Sequence, residues 1–259
     1  MNNQSCDSAV PPTNRAGQPS ETARRVAAQR LGFPRPPAPY GDPGADDRLA
    51  RDVAGELAGA PPGPLARYLA ARTAFFDRTV VNTLAGGVDQ VVVAGAGYDG
   101  RALRYAKPGV RWYEIDHPAT QADKRSRLAR LGIATDDVMF VPADLSTDPV
   151  GPALAAAGHE RAHPSLFLCE GLLVYLPLAA VQRLLGGLRT EAAPGSLLAV
   201  SVSVTSPADG RRDAFARRVA SVGEPALTVL DASGATRSCS RPAGRSNQES
   251  RPNGNATPG

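Results

Sequence analysis

No stretch of this 259-residue chain runs about 18 apolar residues without interruption, so no membrane-spanning segment is expected. The first 20 residues are polar and contain proline, with no apolar signal-peptide core, which makes the cytoplasm the expected location. Cysteine is scarce. Cys6, Cys169 and Cys239 lie far apart, form no C-x-x-C pair and are odd in number, which argues against a disulfide framework. Histidine is equally scarce: His159 and His163 flank Glu160, but no single helix or strand would present them together, and His117 is distant. No metal site is therefore expected. The net charge of +4 is modest and scattered, and it lacks the basic stripe that a nucleic-acid partner requires.

Glycine and proline are plentiful, and they cluster outside the expected core. Residues 1–20 carry Asn, Gln, Ser, Pro and Gly and read as a disordered tail. Glu21–Leu31 reads as a short helix with Ser20 as N-cap and Gly32 as its stop. A Pro/Gly-rich loop over 33–45 precedes a charged helix, Asp46–Ala58, and Pro61-Pro62-Gly63-Pro64 breaks the chain. Leu65–Leu84 follows, with Leu65, Leu69, Phe76 and Val80 at helical intervals. Arg72 lies inside this helix and is either a surface charge or an anion clamp near a pocket.

The chain is organised around Asp89–Arg101. Gln90–Ala94 is an uncharged, β-branched run; Gly95-Ala96-Gly97 is a tight turn; Arg101–Ala106 can open a helix. Glycine lets a ligand approach the backbone closely, and Asp99 stands where a ligand hydroxyl or ammonium could be met. Gly95, Gly97 and Gly100 match G-x-G-x-x-G only in part, because the last interval is one residue short. An adenosyl ligand without a pyrophosphate suits this acidic turn better than a dinucleotide. Val110–Asp116 reads as a second strand, ending in Glu114-Ile115-Asp116. An acid about 20 residues past the glycine turn can accept two hydrogen bonds from a ribose diol. Glu114 and Asp116 both compete for that task, because they point the same way in an ideal strand.

Pro118–Leu131 reads as a helix whose Lys124, Arg125, Arg127 and Arg130 form a solvated face. Val138–Val141 is a third strand, followed by Asp144-Leu145 at the position of a crevice acid. After a helix over Asp148–Gly158, Ser165–Cys169 is a fourth, buried strand, with Cys169 read as core. Glu170 follows at once, costly to bury unpaired, and is able to receive a ligand ammonium, with Tyr175 placed to close over it. Leu178–Ala193 (helix), Ser196–Val204 (fifth strand) and Asp209–Val222 (helix) complete the alternation. Strands alternating with helices predict an α/β sandwich with a largely parallel sheet and a ligand edge at the strand C-termini. Glu224–Leu230 can start one more strand, but residues 231–259 are too polar to fold.

Several segments together resemble a known family. They are Ala66–Thr73, Gln90–Ala102, Tyr113–Pro118, Val141–Leu145 and Cys169–Leu176, with Ser20–Ala23 at the opening helix. The likeness covers about residues 20–225. It is to the actinobacterial S-adenosylmethionine-dependent methyltransferases related to leucine carboxyl methyltransferases.

The resemblance implies a Rossmann-like class I methyltransferase fold with S-adenosyl-L-methionine as cofactor. It implies that Arg72 pairs with the methionyl carboxylate, that Gly95 and Gly97 line the methionyl part, and that Glu170 faces the methionyl ammonium. Asp116 rather than Glu114 takes the ribose, and Asp144 with Leu145 holds the adenine edge. The expected acceptor is a small-molecule or peptide-like carboxylate or hydroxyl. The family's sheet ends in an antiparallel strand pair; the polar tail stands in that place here, so the pair is expected to be missing. The expected organisation is a tail (1–20), a helical cap and cofactor-clamping segment (21–87), the core (88–230) and a polar tail (231–259). The rival readings are a non-catalytic, truncated homologue and an NAD-dependent oxidoreductase.

Overall fold

A computed structural model of the chain describes residues 17–55, 63, 65–205 and 226–231. The proline break at 61–64, apart from Gly63, lies outside the described residues. So do the helix expected over 209–222, Cys6, Cys239 and nearly all of both polar tails.

Five strands form one fully parallel sheet: β1 (Gln90–Ala94), β2 (Arg111–Asp116), β3 (Val138–Pro142), β4 (Ser165–Cys169) and β5 (Leu197–Val200), in the order β3-β2-β1-β4-β5. The uninterrupted apolar runs of β1 and β4 are buried along their whole length, as central strands covered on both faces must be. Alternation divides their side chains between two layers. Val92, Ala94, Phe167 and Cys169 pack with Leu154 of helix α6 (Val150–Ala156) and Val181, Leu184 and Leu188 of α7 (Leu178–Thr190). Val91, Val93, Leu166 and Leu168 pack with Phe76, Val80 and Leu84 of α3 (Ala66–Ala85) and Ala102 of α4 (Arg101–Arg104). Cys169 is fully buried, and burial pushes its thiol up to about 12, so it belongs to the core.

A third apolar cluster joins α1 (Glu21–Arg30), α2 (Pro43–Ala54), α4 and α5 (Pro118–Arg130) through Ala27, Leu49, Val53, Leu103 and Leu128. Ser20 caps α1, its hydroxyl accepting from the Ala23 amide at 3.1 Å. Helix α2 starts at Pro43, earlier than the expected Asp46, because Asp42 caps it and proline suits the first helical turn.

The fifth strand is shorter than expected. It stops at Val200; just beyond, the Ser201 amide donates to the Cys169 carbonyl and its hydroxyl accepts from the Gly171 amide at 2.7 Å. The short strands β6 (Val204–Thr205) and β7 (Leu230–Asp231) then pair in parallel. Among the described residues no helix is long and apolar enough to cross a membrane.

The strand order reverses between β1 and β4, so the crevice lies outside their C-terminal ends. That edge carries the Gly95–Gly97 turn, Asp116, Asp144 and Glu170, which follow β1, end β2, follow β3 and follow β4 respectively.

Candidate cofactor site

Gly95 and Gly97 adopt φ of +67° and +50°, a region that favours glycine. A Cβ on Gly97 would lie 2.9 Å from the Ala23 methyl of α1, and one on Gly95 would lie 2.8 Å from Leu172. Helix α1 and the segment after β4 therefore close onto the turn from two sides.

Four amides of the turn are already used. Gly95 and Ala96 donate to the Ile115 carbonyl at 2.8 and 3.0 Å, Asp99 donates to the Ala96 carbonyl at 2.8 Å, and Gly97 donates to Asp116 Oδ2 at 2.5 Å. A pyrophosphate cradle needs such amides free, so the geometry disfavours the dinucleotide reading. The half-buried Asp116 also accepts from the His117 amide at 2.7 Å. Burial pushes its carboxyl up, while the two amides pull it back.

Arg72 and Glu170 meet directly: Arg72 Nε donates to Glu170 Oε1 at 2.9 Å, and the Arg72 guanidinium lies over the Tyr68 ring. Glu170 Oε2 is also paired with Arg30 of α1 at 3.1 Å and with Arg101 at 2.6 Å. Burial would raise the Glu170 carboxyl, but Arg101, Arg30 and Arg72 outweigh it and hold it far below the usual carboxylate range. The Arg30 and Arg72 side chains retain 11% and 13% exposure, so a ligand can reach them, whereas Arg101 is sealed behind them.

Two expected contact residues face inward instead. Asp99 is buried and accepts from the Arg101 amide at 2.9 Å and from its guanidinium; Arg30 is 3.6 Å away. Burial raises its carboxyl, and Arg101 followed by Arg30 lower it below its ordinary value. Asp99 thus braces Arg101 rather than presenting a free carboxylate. Glu114 is buried against Lys124, whose Nζ donates to Glu114 Oε2 at 2.5 Å and to the Asp99 carbonyl at 2.6 Å. The ideal-strand tie between Glu114 and Asp116 breaks here, because only Asp116 reaches the strand end and remains partly open.

The solvated face expected on α5 is also corrected. Arg125 and Arg130 are exposed, but Lys124 is buried, and Arg127 is held by Asp123 at 2.7 Å and Asp52 at 2.8 Å. Helix α2 supplies Asp52, a partner that no spacing within α5 reveals. Asp144 is half-buried, accepts from the Ser146 amide and hydroxyl at 2.9 and 2.6 Å, and stands beside the buried Leu145. The Ala143 amide bonds the Asp116 carbonyl at 2.9 Å, which brings the third-strand acid to the second-strand acid. Tyr175 lies half-buried in the 3-10 turn Leu173–Tyr175.

Lys124→Met leaves Glu114 without its cation and is expected to cost about 3 kcal/mol at pH 8 in chemical denaturation. Burial already pushes the Glu114 carboxyl up, and without Lys124 it rises further. A raised carboxyl pKa favours the folded state as protons bind, so the deficit should shrink toward pH 5. A pH-independent deficit would remove Glu114 as its source.

Sequence reasoning missed Arg30, Arg101 and Asp77. One local signal existed: Arg101 opens a helix, where a basic residue opposes the usual charge preference, so a tertiary carboxylate was needed.

Residues 41–189 match the leucine carboxyl methyltransferase family. A "Putative S-adenosyl-L-methionine-dependent methyltransferase" of Mycobacterium sp. (strain JLS) is 45% identical over 141 residues, covering 54% of this chain and 46% of that protein. A protein of the same name from Mycobacterium avium (strain 104) is 36% identical over 228 residues, covering 78% of this chain and 72% of its own. The chain thus spans between about half and three quarters of the length of these relatives. Among solved structures, a methyltransferase-like protein from Thermobifida fusca YX aligns with TM-score 0.58 at 22% identity, over 89% of this chain and 83% of that one. A duf574 family protein from Streptomyces avermitilis aligns with TM-score 0.53 at 17% identity, over 84% and 81%. These two share the fold.

Proposed function

Because the chain belongs to the leucine carboxyl methyltransferase family, we propose that it is an S-adenosylmethionine-dependent methyltransferase. Its acceptor is the carboxylate or hydroxyl oxygen of a small-molecule or peptide-like compound. The observation that carries this reading is the Arg72–Glu170 pair beside the Gly95–Gly97 turn. An α-amino acid group carries one carboxylate and one ammonium, and this pair offers one counter-charge for each.

The donor set fits the cofactor. Arg72 takes the methionyl carboxylate and Glu170 the ammonium, with the Gly95 and Gly97 backbone alongside the chain between them. Asp116, fixed by two backbone amides, presents its remaining lone pairs to the ribose diol. Asp144 and Leu145 receive the adenine edge. Asp99 and Glu114 act from behind, through Arg101 and Lys124.

The cofactor supplies a methyl group already activated on sulfur. The chain's own task is to hold that group and the acceptor oxygen in line, so alignment supplies the acceleration and no acid or base side chain is assigned. The partial span of the relatives motivates a second reading, a cofactor-binding homologue without turnover.

Calorimetric titration of S-adenosylmethionine into the folded protein tests the binding half. Saturable heat at micromolar to low millimolar ligand is expected; its absence at millimolar ligand would sink the reading. Transfer of a labelled methyl group to small carboxylic acids then separates an enzyme from a binding homologue.

A further inference from the structure

Among the described residues Glu170 has three cationic partners, and they are not equivalent. Arg30 and Arg72 stand on α1 and α3 and keep some exposure. Arg101 has none: its side chain is 1% exposed, and its guanidinium fork is spent on protein acceptors. Nε donates to Asp77 Oδ1 at 2.6 Å, one terminal nitrogen meets both Asp99 and Glu170, and the other donates to the Thr73 carbonyl at 3.5 Å. Phe76 covers the fork from one side. Asp77 is itself fully buried and is shared with Arg35.

This arrangement creates a requirement when a zwitterionic ligand enters. The ligand's carboxylate competes with Glu170 for Arg72, whose contact is to Oε1, while Arg30 and Arg101 stand on Oε2. Until the ligand's ammonium is in place, a carboxylate this deeply buried stays ionised only if a protein counter-charge holds it. We infer that Arg101 is that residue: a positioning residue whose fork, anchored by Asp77, keeps Glu170 ionised and aimed while Arg72 serves the ligand. The inference rests on the cofactor reading above, and it deepens that reading by assigning a role to a residue that never touches the cofactor. A lysine cannot substitute, because a single ammonium cannot reproduce the planar fork that spans Asp77 on one edge and Glu170 on another.

The charged groups facing Glu170 are Arg30, Arg72, Arg101 and, at one remove, Asp99 and Asp77. With Arg101 gone, the carboxyl keeps its burial and the nearby Asp99 charge, and both favour protonation. Binding of a ligand ammonium should then depend on pH.

The probe is S-adenosylhomocysteine, a zwitterion throughout pH 6–8, titrated calorimetrically into wild type, Arg101→Met and Arg101→Met/Glu170→Gln. The expected result is an affinity at least about 10-fold weaker than wild type for Arg101→Met at pH 6, recovering toward pH 8. The double variant should stay weak and lose that recovery. Ratios to wild type at each pH cancel the titration of Asp116 and Glu114, which all three proteins share. An Arg101→Met protein with wild-type affinity, or one weakened equally at every pH, overturns the inference. If Arg101→Met does not fold, Arg101→Lys keeps the charge and should still bind about 5-fold more weakly, since it cannot hold both carboxylates; wild-type affinity there overturns the role of the fork. A wild type that binds no S-adenosylhomocysteine at any pH defeats the cofactor reading and this inference with it. Binding by wild type with indifferent variants defeats the inference alone.

Discussion

Asp77→Ala is expected to remove about 5 kcal/mol of stability, a large share of a margin that is typically about 5–15 kcal/mol. Asp77 is fully buried on α3 and accepts from Arg101 Nε at 2.6 Å and from Arg35 at 3.0 Å, with a second bond to Arg35 Nε. Its loss leaves two nearly sealed guanidinia with one counter-charge fewer. Breaking a single buried pair costs about 3–5 kcal/mol, because the remaining ion is desolvated and unpaired. The cost here is less than twice that figure. Arg35 retains Asp46 at 3.0 Å, and Arg101 retains Asp99 and Glu170. Asp77→Asn, which keeps the shape and one acceptor, should recover part of the loss. Urea unfolding of the three proteins measures it; an Asp77→Ala midpoint matching wild type would show that this network contributes nothing net.

Glu170→Gln is expected to weaken S-adenosylmethionine binding about 100-fold. A hydrogen bond between two charged groups contributes about 1.5–3 kcal/mol, and each 1.4 kcal/mol is a factor of ten. Two further effects oppose one another. Arg30, Arg72 and Arg101 lose their shared counter-charge and repel the ligand ammonium, whereas Arg72 is freed to take the ligand carboxylate more strongly. The first effect dominates, because three cations surround the ammonium position and only one ligand carboxylate answers them. Calorimetry checks the affinity, and an unchanged value removes Glu170 from the ammonium role.

The same substitution has a pH signature in stability. Arginine contacts hold the Glu170 carboxyl below its unfolded value of 4.5. Its contribution is therefore complete above that value and is lost as pH falls toward the folded pKa. The stability gap between wild type and Glu170→Gln should narrow as pH drops below the ordinary glutamate range.

Much of the architecture was legible in local pattern. The runs Val91–Ala94 and Leu166–Cys169 are apolar throughout because both of their faces are covered, and their strands became the two central neighbours of the sheet. Glycine at 95 and 97 marked a backbone that takes positive φ. Acids placed at strand ends, Asp116 and Asp144, came to the same edge because a parallel sheet brings all its C-termini to one side. Expectations failed where a charge found its partner across the fold. Lys124 follows the spacing of a surface lysine, yet it is buried on Glu114. Asp99 sits in a ligand-facing turn by sequence, yet it turns to Arg101.

The sequence by itself determined the alternating α/β order, the glycine turn and the set of acids along the C-terminal edge of the sheet. Each follows from periodicity or from a residue's local backbone preference, which neighbours in the chain suffice to express. Only the tertiary structure decided which charges meet. Arg30, Arg72, Arg101 and Glu170 stand on four separate elements, and Coulomb energy depends on their distances in space. Those distances are set by how α3 and α4 pack onto the sheet and how α1 packs onto α2 and α3, and no interval along the chain encodes them.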